Sequence, residues 1–224
     1  YIKKVPDIKK VIEPKKPISY ISDLKWEEII LLPDIDPFMK RIWSFYRETG
    51  LRRAEPFMAT LEGNWLIVPP DSKTGRERAV LLTPELKKIF QEMQSSWNVN
   101  KKPRSIQDYY SKQFKKACEQ IGLDRHFHNL RDTYATRQWL ITGDIYVVSK
   151  KIGHTSVTMT QKYANIDLRR LVQDFPSLRE QVEKRVETPN FTKVDTQMVD
   201  TTALSYLQTD SQSYNFTRVN AGVV

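Results

Sequence analysis

Between His128 and Tyr163 the chain reads HNLRDTYATRQWLITGDIYVVSKKIGHTSVTMTQKY, and Gly143 and Gly153 cut that stretch into pieces too short for one long helix. It can fold only as a relay: a helix over 128–142, a short one over 144–151, another over 155–162, and a fourth over 166–173. Leu130, Tyr134, Ala135, Trp139 and Leu140 give the first its apolar face. His128 and Arg131 stand at i and i+3, so on that helix they share a side. His154 follows the second glycine, and Tyr163 comes nine residues later. Two of the chain's three histidines, an arginine and a phenol are thereby brought to neighbouring helix ends, a set suited to holding an anion and moving protons. The third, His126, precedes this pattern and reads as a loop residue.

A chain to be packed around such a relay needs a partner for its positive charge. The formal net charge is +9, from 36 Lys and Arg against 27 Asp and Glu, with a pI near 9.5. That balance favours a polyanion, nucleic acid first. The single cysteine, Cys118, rules out an internal disulfide and a cysteine zinc cluster, and its setting FKKACEQIG reads as core. No apolar run approaches the length that crosses a membrane, and no signal peptide is visible, so the chain reads as soluble and intracellular.

Residues 1–20 carry six Lys, two acids and three Pro without helical period, and read as a basic linker. A helix is expected over 22–31 with Ser22 as cap, a second from Asp36-Pro37 to about Arg47, and a short third over 51–60. Asp34 and Asp36 read as turn and cap residues rather than a metal pair. Gly63-Asn64 and Asp71–Gly75 are turns bounding NWLIV and RERAVLL, which predicts a small antiparallel sheet of two or three strands. Helices follow from Thr83-Pro84 to about Met93 and from Ser105 to about Ile121. Tyr109, Tyr110, Tyr134 and Tyr146 sit at apolar helical spacings and read as core. After Pro176, SLREQVEKRVE has helical character, and 189–224 is rich in Thr, Asn, Gln, Ser and Asp. The fold class is therefore mainly α with a small antiparallel β-sheet (α+β).

Displacement at a phosphodiester builds charge on non-bridging oxygens, and paired arginines can meet it because each stays charged and binds two oxygens. Arg131 supplies one; Thr49-Gly50-Leu51-Arg52 offers another where a helix restarts after a glycine turn.

Taken together, H-x-x-R, G-H and a Tyr nine residues on resemble the tyrosine recombinase (phage integrase) family, over about residues 20–175. TGLRRAE (49–55) is similar to its first box, which selects Arg52 over Arg53 and implies Glu55 as support. SKTG (72–75) is similar to its hairpin box, which implies Lys73 as proton donor to the leaving 5′ oxygen. The resemblance implies His128 as acid, base or phosphate donor, Arg131 as second arginine, His154 as a further donor, and Tyr163 as nucleophile. Attack would give a 3′-phosphotyrosine and a free 5′ hydroxyl, with no metal, cofactor or ATP. Asp132 departs from the pattern, because many members carry a different, often basic, residue after this arginine.

The expectation is thus a catalytic domain over 21–175, behind a missing N-terminal DNA-binding domain (the chain opens on Tyr1, not Met), with a 176–224 tail that docks on a neighbouring protomer. The resemblance implies double-stranded DNA and a homotetramer on two DNA sites as partners. Rival readings are a type IB topoisomerase-like enzyme that nicks and reseals alone, an inactive DNA-binding module, and a metal-dependent nuclease.

Overall fold

Helix α5 (His128–Thr142) is the element on which the rest is assembled. The structure, a computed structural model, describes residues 18–70, 77–97 and 102–187. Among these the order is α1 (Asp23–Leu31), α2 (Pro37–Thr49), β1 (Thr60–Glu62), β2 (Trp65–Val68), β3 (Arg78–Leu81), α3 (Pro84–Ser96), α4 (Pro103–Gln120), α5, α6 (Ile145–Ile152), α7 (Gln161–Ala164), α8 (Leu168–Asp174) and α9 (Arg179–Glu187). Three short 3-10 turns, Glu55–Phe57, Val157–Met159 and Pro176–Leu178, link them. The fold is mainly α with one three-stranded antiparallel sheet, ordered β1-β2-β3. Register is set by Leu61 opposite Leu66 and Leu66 opposite Val80, the pairs whose side chains turn inward.

The caps explain where the helices begin. Ser22 accepts from the Lys25 amide, Asp36 from Phe38 and Thr83 from Leu86, and proline opens α2 and α3. Gly50, at φ 63°, closes α2 in the left-handed conformation that a helix C-cap favours.

Three apolar clusters meet along α5. Leu130 belongs to the largest, where Trp43 and Phe114 meet edge to face at 5.3 Å and Tyr46 and Phe127 at 4.7 Å. Ala135 packs with Val148, Ile152 and Tyr163, and Leu140 with Leu171, Phe175, Leu178 and Val182. Cys118 is fully buried, and burial pushes its thiol up to about 12, as befits an inert core residue.

Several expectations are corrected. The helix over 51–60 is only the 3-10 turn at Glu55–Phe57, because Pro56 limits it and the chain must extend into β1. The helix over 155–162 is instead the 3-10 turn Val157–Met159 and the single turn α7, since Ser156 is extended and caps locally. Tyr110 is buried and Tyr134 half-buried, but Tyr109 and Tyr146 are 51% and 66% exposed, so those two are not core. Within the segment expected as a tail, the chain continues from Pro176 as a 3-10 turn and α9. Leu178 and Val182 bury against Leu140, and the Ser177 amide donates to Asp23 Oδ2 at 3.1 Å.

Candidate active site

The site is organised by the last carbonyls of α6. Gly153 caps that helix at φ 65°, and the turn leaves three successive carbonyls facing the arginines. Arg78 Nη1 donates to Lys151 O at 3.1 Å, Arg131 Nη2 to Ile152 O, and Arg52 Nη2 to Gly153 O at 3.0 Å. The partial negative charge at a helix C-terminus draws cations, so the three guanidiniums converge there. Their opposite sides are held as well. Arg131 Nη1 donates to Gly50 O at 2.7 Å. Arg52 Nη1 reaches Glu55 Oε1 at 2.7 Å, while Glu55 Oε2 accepts from the Arg52 amide and from Arg78 Nη2, both at 2.6 Å.

One carboxylate therefore serves two guanidiniums, and no carboxylate among the described residues forms an ion pair with Arg131. Arg131 is only 3% exposed, an expensive place for a cation whose hydrogen-bond partners among the described residues are two carbonyls. Burial, then repulsion from Arg52 and Arg78, pulls its pKa down to about 10. The cluster keeps a surplus of positive charge and is suited to an anion such as a phosphodiester. Arg52, Arg78 and His154 line a cavity of about 430 Å³ together with Glu55. Arg131 and His128 line a second, smaller hollow of about 250 Å³.

His154 Nδ1 lies 2.9 Å from the Thr160 hydroxyl, which fixes a ring that lines the larger cavity and leaves Nε2 for another partner. Burial and the charges of Arg131 and Arg52 lower its pKa to about 4, so at neutral pH the ring is uncharged. His128 is lowered as well, by burial first. Tyr163 is 1% exposed and donates its hydroxyl proton to Asp132 Oδ1 at 2.7 Å. Lys162 Nζ meets the same oxygen at 3.2 Å. Burial, and then the Asp132 charge, push the phenol well above its ordinary range, and Tyr163 lines neither hollow.

Arg52, Glu55, Arg131 and His154 are thus brought together, with His128 beside Arg131 in the smaller hollow and Tyr163 held on Asp132. Lys73 lies outside the described residues. Arg53, the competing arginine, pairs with Asp108 at 2.9 Å and is 38% exposed along its side chain. Two participants were missed from sequence. Arg78 could have been found from strand alternation, since it shares a face with inward Val80. Thr160 carries no signal without the fold.

A model of the phage integrase family matches residues 39–170. The chain belongs to this family. Relatives include the integrase of Escherichia phage 186, 28% identical over 123 residues, 52% of this chain and 34% of that protein. Tyrosine recombinase XerA of Saccharolobus solfataricus is 28% identical over 127 residues, 54% of this chain and 43% of that protein. The matched stretch thus spans between a third and a half of these relatives. A crystal structure of XerA recombinase superposes with TM-score 0.55 at 22% identity, covering 71% of this chain and 66% of that one. A lambda integrase dimer bound to a COC' core site gives TM-score 0.55 at 20% identity, covering 70% and 50%. This family member shares their fold.

Proposed function

We propose that this integrase-family chain is the strand-cleaving part of a site-specific DNA recombinase acting through a 3′-phosphotyrosine. The observation that carries the reading is a buried Arg131 with no carboxylate ion-pair partner among the described residues, donating to Ile152 O while Arg52 donates to Gly153 O, the next carbonyl, beside His154. A scissile phosphate would supply the missing counter-charge, with its non-bridging oxygens on the two arginines and on His154 Nε2.

Tyr163 would leave Asp132, attack phosphorus and expel the 5′ oxygen, with Lys73 as proton donor and His128 assisting proton transfer. The ester formed keeps the bond energy for resealing, so no ATP is needed. Double-stranded DNA is the substrate, and protomers meet as a tetramer on two sites; a lambda integrase tetramer bound to a Holliday junction is among the solved structures of like fold. Among the described residues no group of three His, Cys, Asp or Glu is placed to hold a metal ion.

The test uses duplexes randomised around a nick, on which the short 5′-hydroxyl fragment diffuses away and traps the adduct. The chain is expected to form an adduct stable to detergent, insensitive to EDTA, and Tyr163→Phe to form none while still binding DNA. An adduct that persists in Tyr163→Phe, or one abolished by EDTA, would overturn the assignment.

A further inference from the structure

Arg78 is a third guanidinium at this site. It is tied at both ends, Nη2 to Glu55 at 2.6 Å and Nη1 to Lys151 O at 3.1 Å, and its side chain is 10% exposed. Gly153 lies against it: a Cβ there would come within 3.2 Å of Nη1. No sequence reading requires a cation at this strand position.

The consequence lies in the charge of Glu55. That carboxylate is the partner of Arg52 through both side chain and amide. With Arg52 alone, one carboxylate would balance one guanidinium, and little charge would be left for an incoming phosphate. With Arg78 on the second oxygen, one carboxylate is shared between two cations, and Arg52 keeps charge to offer.

We infer that Arg78 is a positioning residue for strand cleavage: it holds Glu55 away from full neutralisation of Arg52 and so keeps the Arg52 guanidinium available to the scissile phosphate. This rests on the reading above, that a phosphodiester is opened in this cavity.

The experiment compares Arg78→Gln and Arg78→Lys with the unaltered chain in single-turnover cleavage of the nicked duplex, beside binding affinity and melting temperature. Adduct formation by the unaltered chain, and its absence in Tyr163→Phe, establishes the underlying reading separately. Arg78→Gln is expected to cleave at least tenfold more slowly, with DNA affinity changed less than threefold, while Arg78→Lys, which restores the charge, recovers most of the rate. A second substrate carries a methyl in place of one non-bridging oxygen at the scissile phosphate. There less negative charge must be met, and the Arg78→Gln defect should shrink to under threefold. Unchanged cleavage by Arg78→Gln, an equal defect on both substrates, or Arg78→Lys as slow as Arg78→Gln would each overturn the inference. So would loss of folding in both variants, which would assign Arg78 to stability alone.

Discussion

Tyr163 donates to a carboxylate that also serves Lys162 and, through its other oxygen, Asn129 at 3.3 Å, so withdrawing the phenol leaves Asp132 paired rather than stranded. That makes the contact a reversible hold. It keeps the proton on the phenol, because ionising Tyr163 beside a carboxylate would place two negative charges together. Asp132→Asn removes the charge but keeps the shape. It is expected to let Tyr163 ionise at lower pH and to raise single-turnover cleavage severalfold near neutrality, read from the pH-rate profile of adduct formation. A rate below that of the unaltered chain would instead make Asp132 the base that takes the proton. His154 yields a second prediction. Its folded pKa of about 4 lies below the ordinary value of 6.5, so as pH falls the unfolded chain takes up that proton first. Stability from this group is intact above about 6.5 and declines as pH falls toward about 4. His154→Asn should remove that part of the decline, measured as a smaller drop in urea midpoint between neutral and mildly acidic buffer.

At the scale of elements, the decisive join is between the end of α2 and the flank of α5. Gly50 sits at φ 63°, and a Cβ there would lie 2.2 Å from Tyr134 Cδ1, while its carbonyl receives Arg131. Strain in the backbone and overpacking against the ring therefore act together in Gly50→Ala. A loss of about 2–4 kcal/mol is expected from those two sources, read by denaturant unfolding. Cleavage should fall further than stability alone explains, since Arg131 would lose its carbonyl. The element boundaries that sequence made legible were those with local chemistry: Ser22, Asp36-Pro37 and Thr83 as caps, Gly143 as a stop. Those it missed, the 3-10 turn at Glu55–Phe57 and the broken helix before Tyr163, are places where tertiary demands override helical pattern. The chain there is bent to deliver Glu55 to Arg52 and Tyr163 to Asp132.

Across the whole molecule, the family pattern pointed to Arg52, Arg131 and His154, and the turns at Gly50 and Gly153 bring those three side chains together. It could not show the shared carboxylate, because Arg78 and Glu55 are joined only when β3 crosses beside the end of α6. Nor could it show that the chain after Pro176 returns to its own core. Leu178 and Val182 are 3% and 2% exposed within the cluster of Leu140, Leu171 and Phe175. Asp23, buried at the head of α1, is paired with Arg47 at 2.7 Å and takes the Ser177 amide on its other oxygen. Ending the chain after Phe175 uncovers that cluster and leaves Asp23 short of a donor. Loss of the two apolar side chains alone amounts to roughly 3–6 kcal/mol, and a fall in melting temperature of roughly 10–20 °C follows. Ending it after Glu187 keeps these contacts and should leave the melting temperature within a few degrees of the full chain. If the shorter truncate melts like the longer one, residues 176–187 do not belong to the domain's core, and a role in docking on a neighbouring protomer is open to the whole segment from 176. If it melts far lower, any such role falls to 188–224, and the two truncates then allow assembly on DNA to be measured apart from folding.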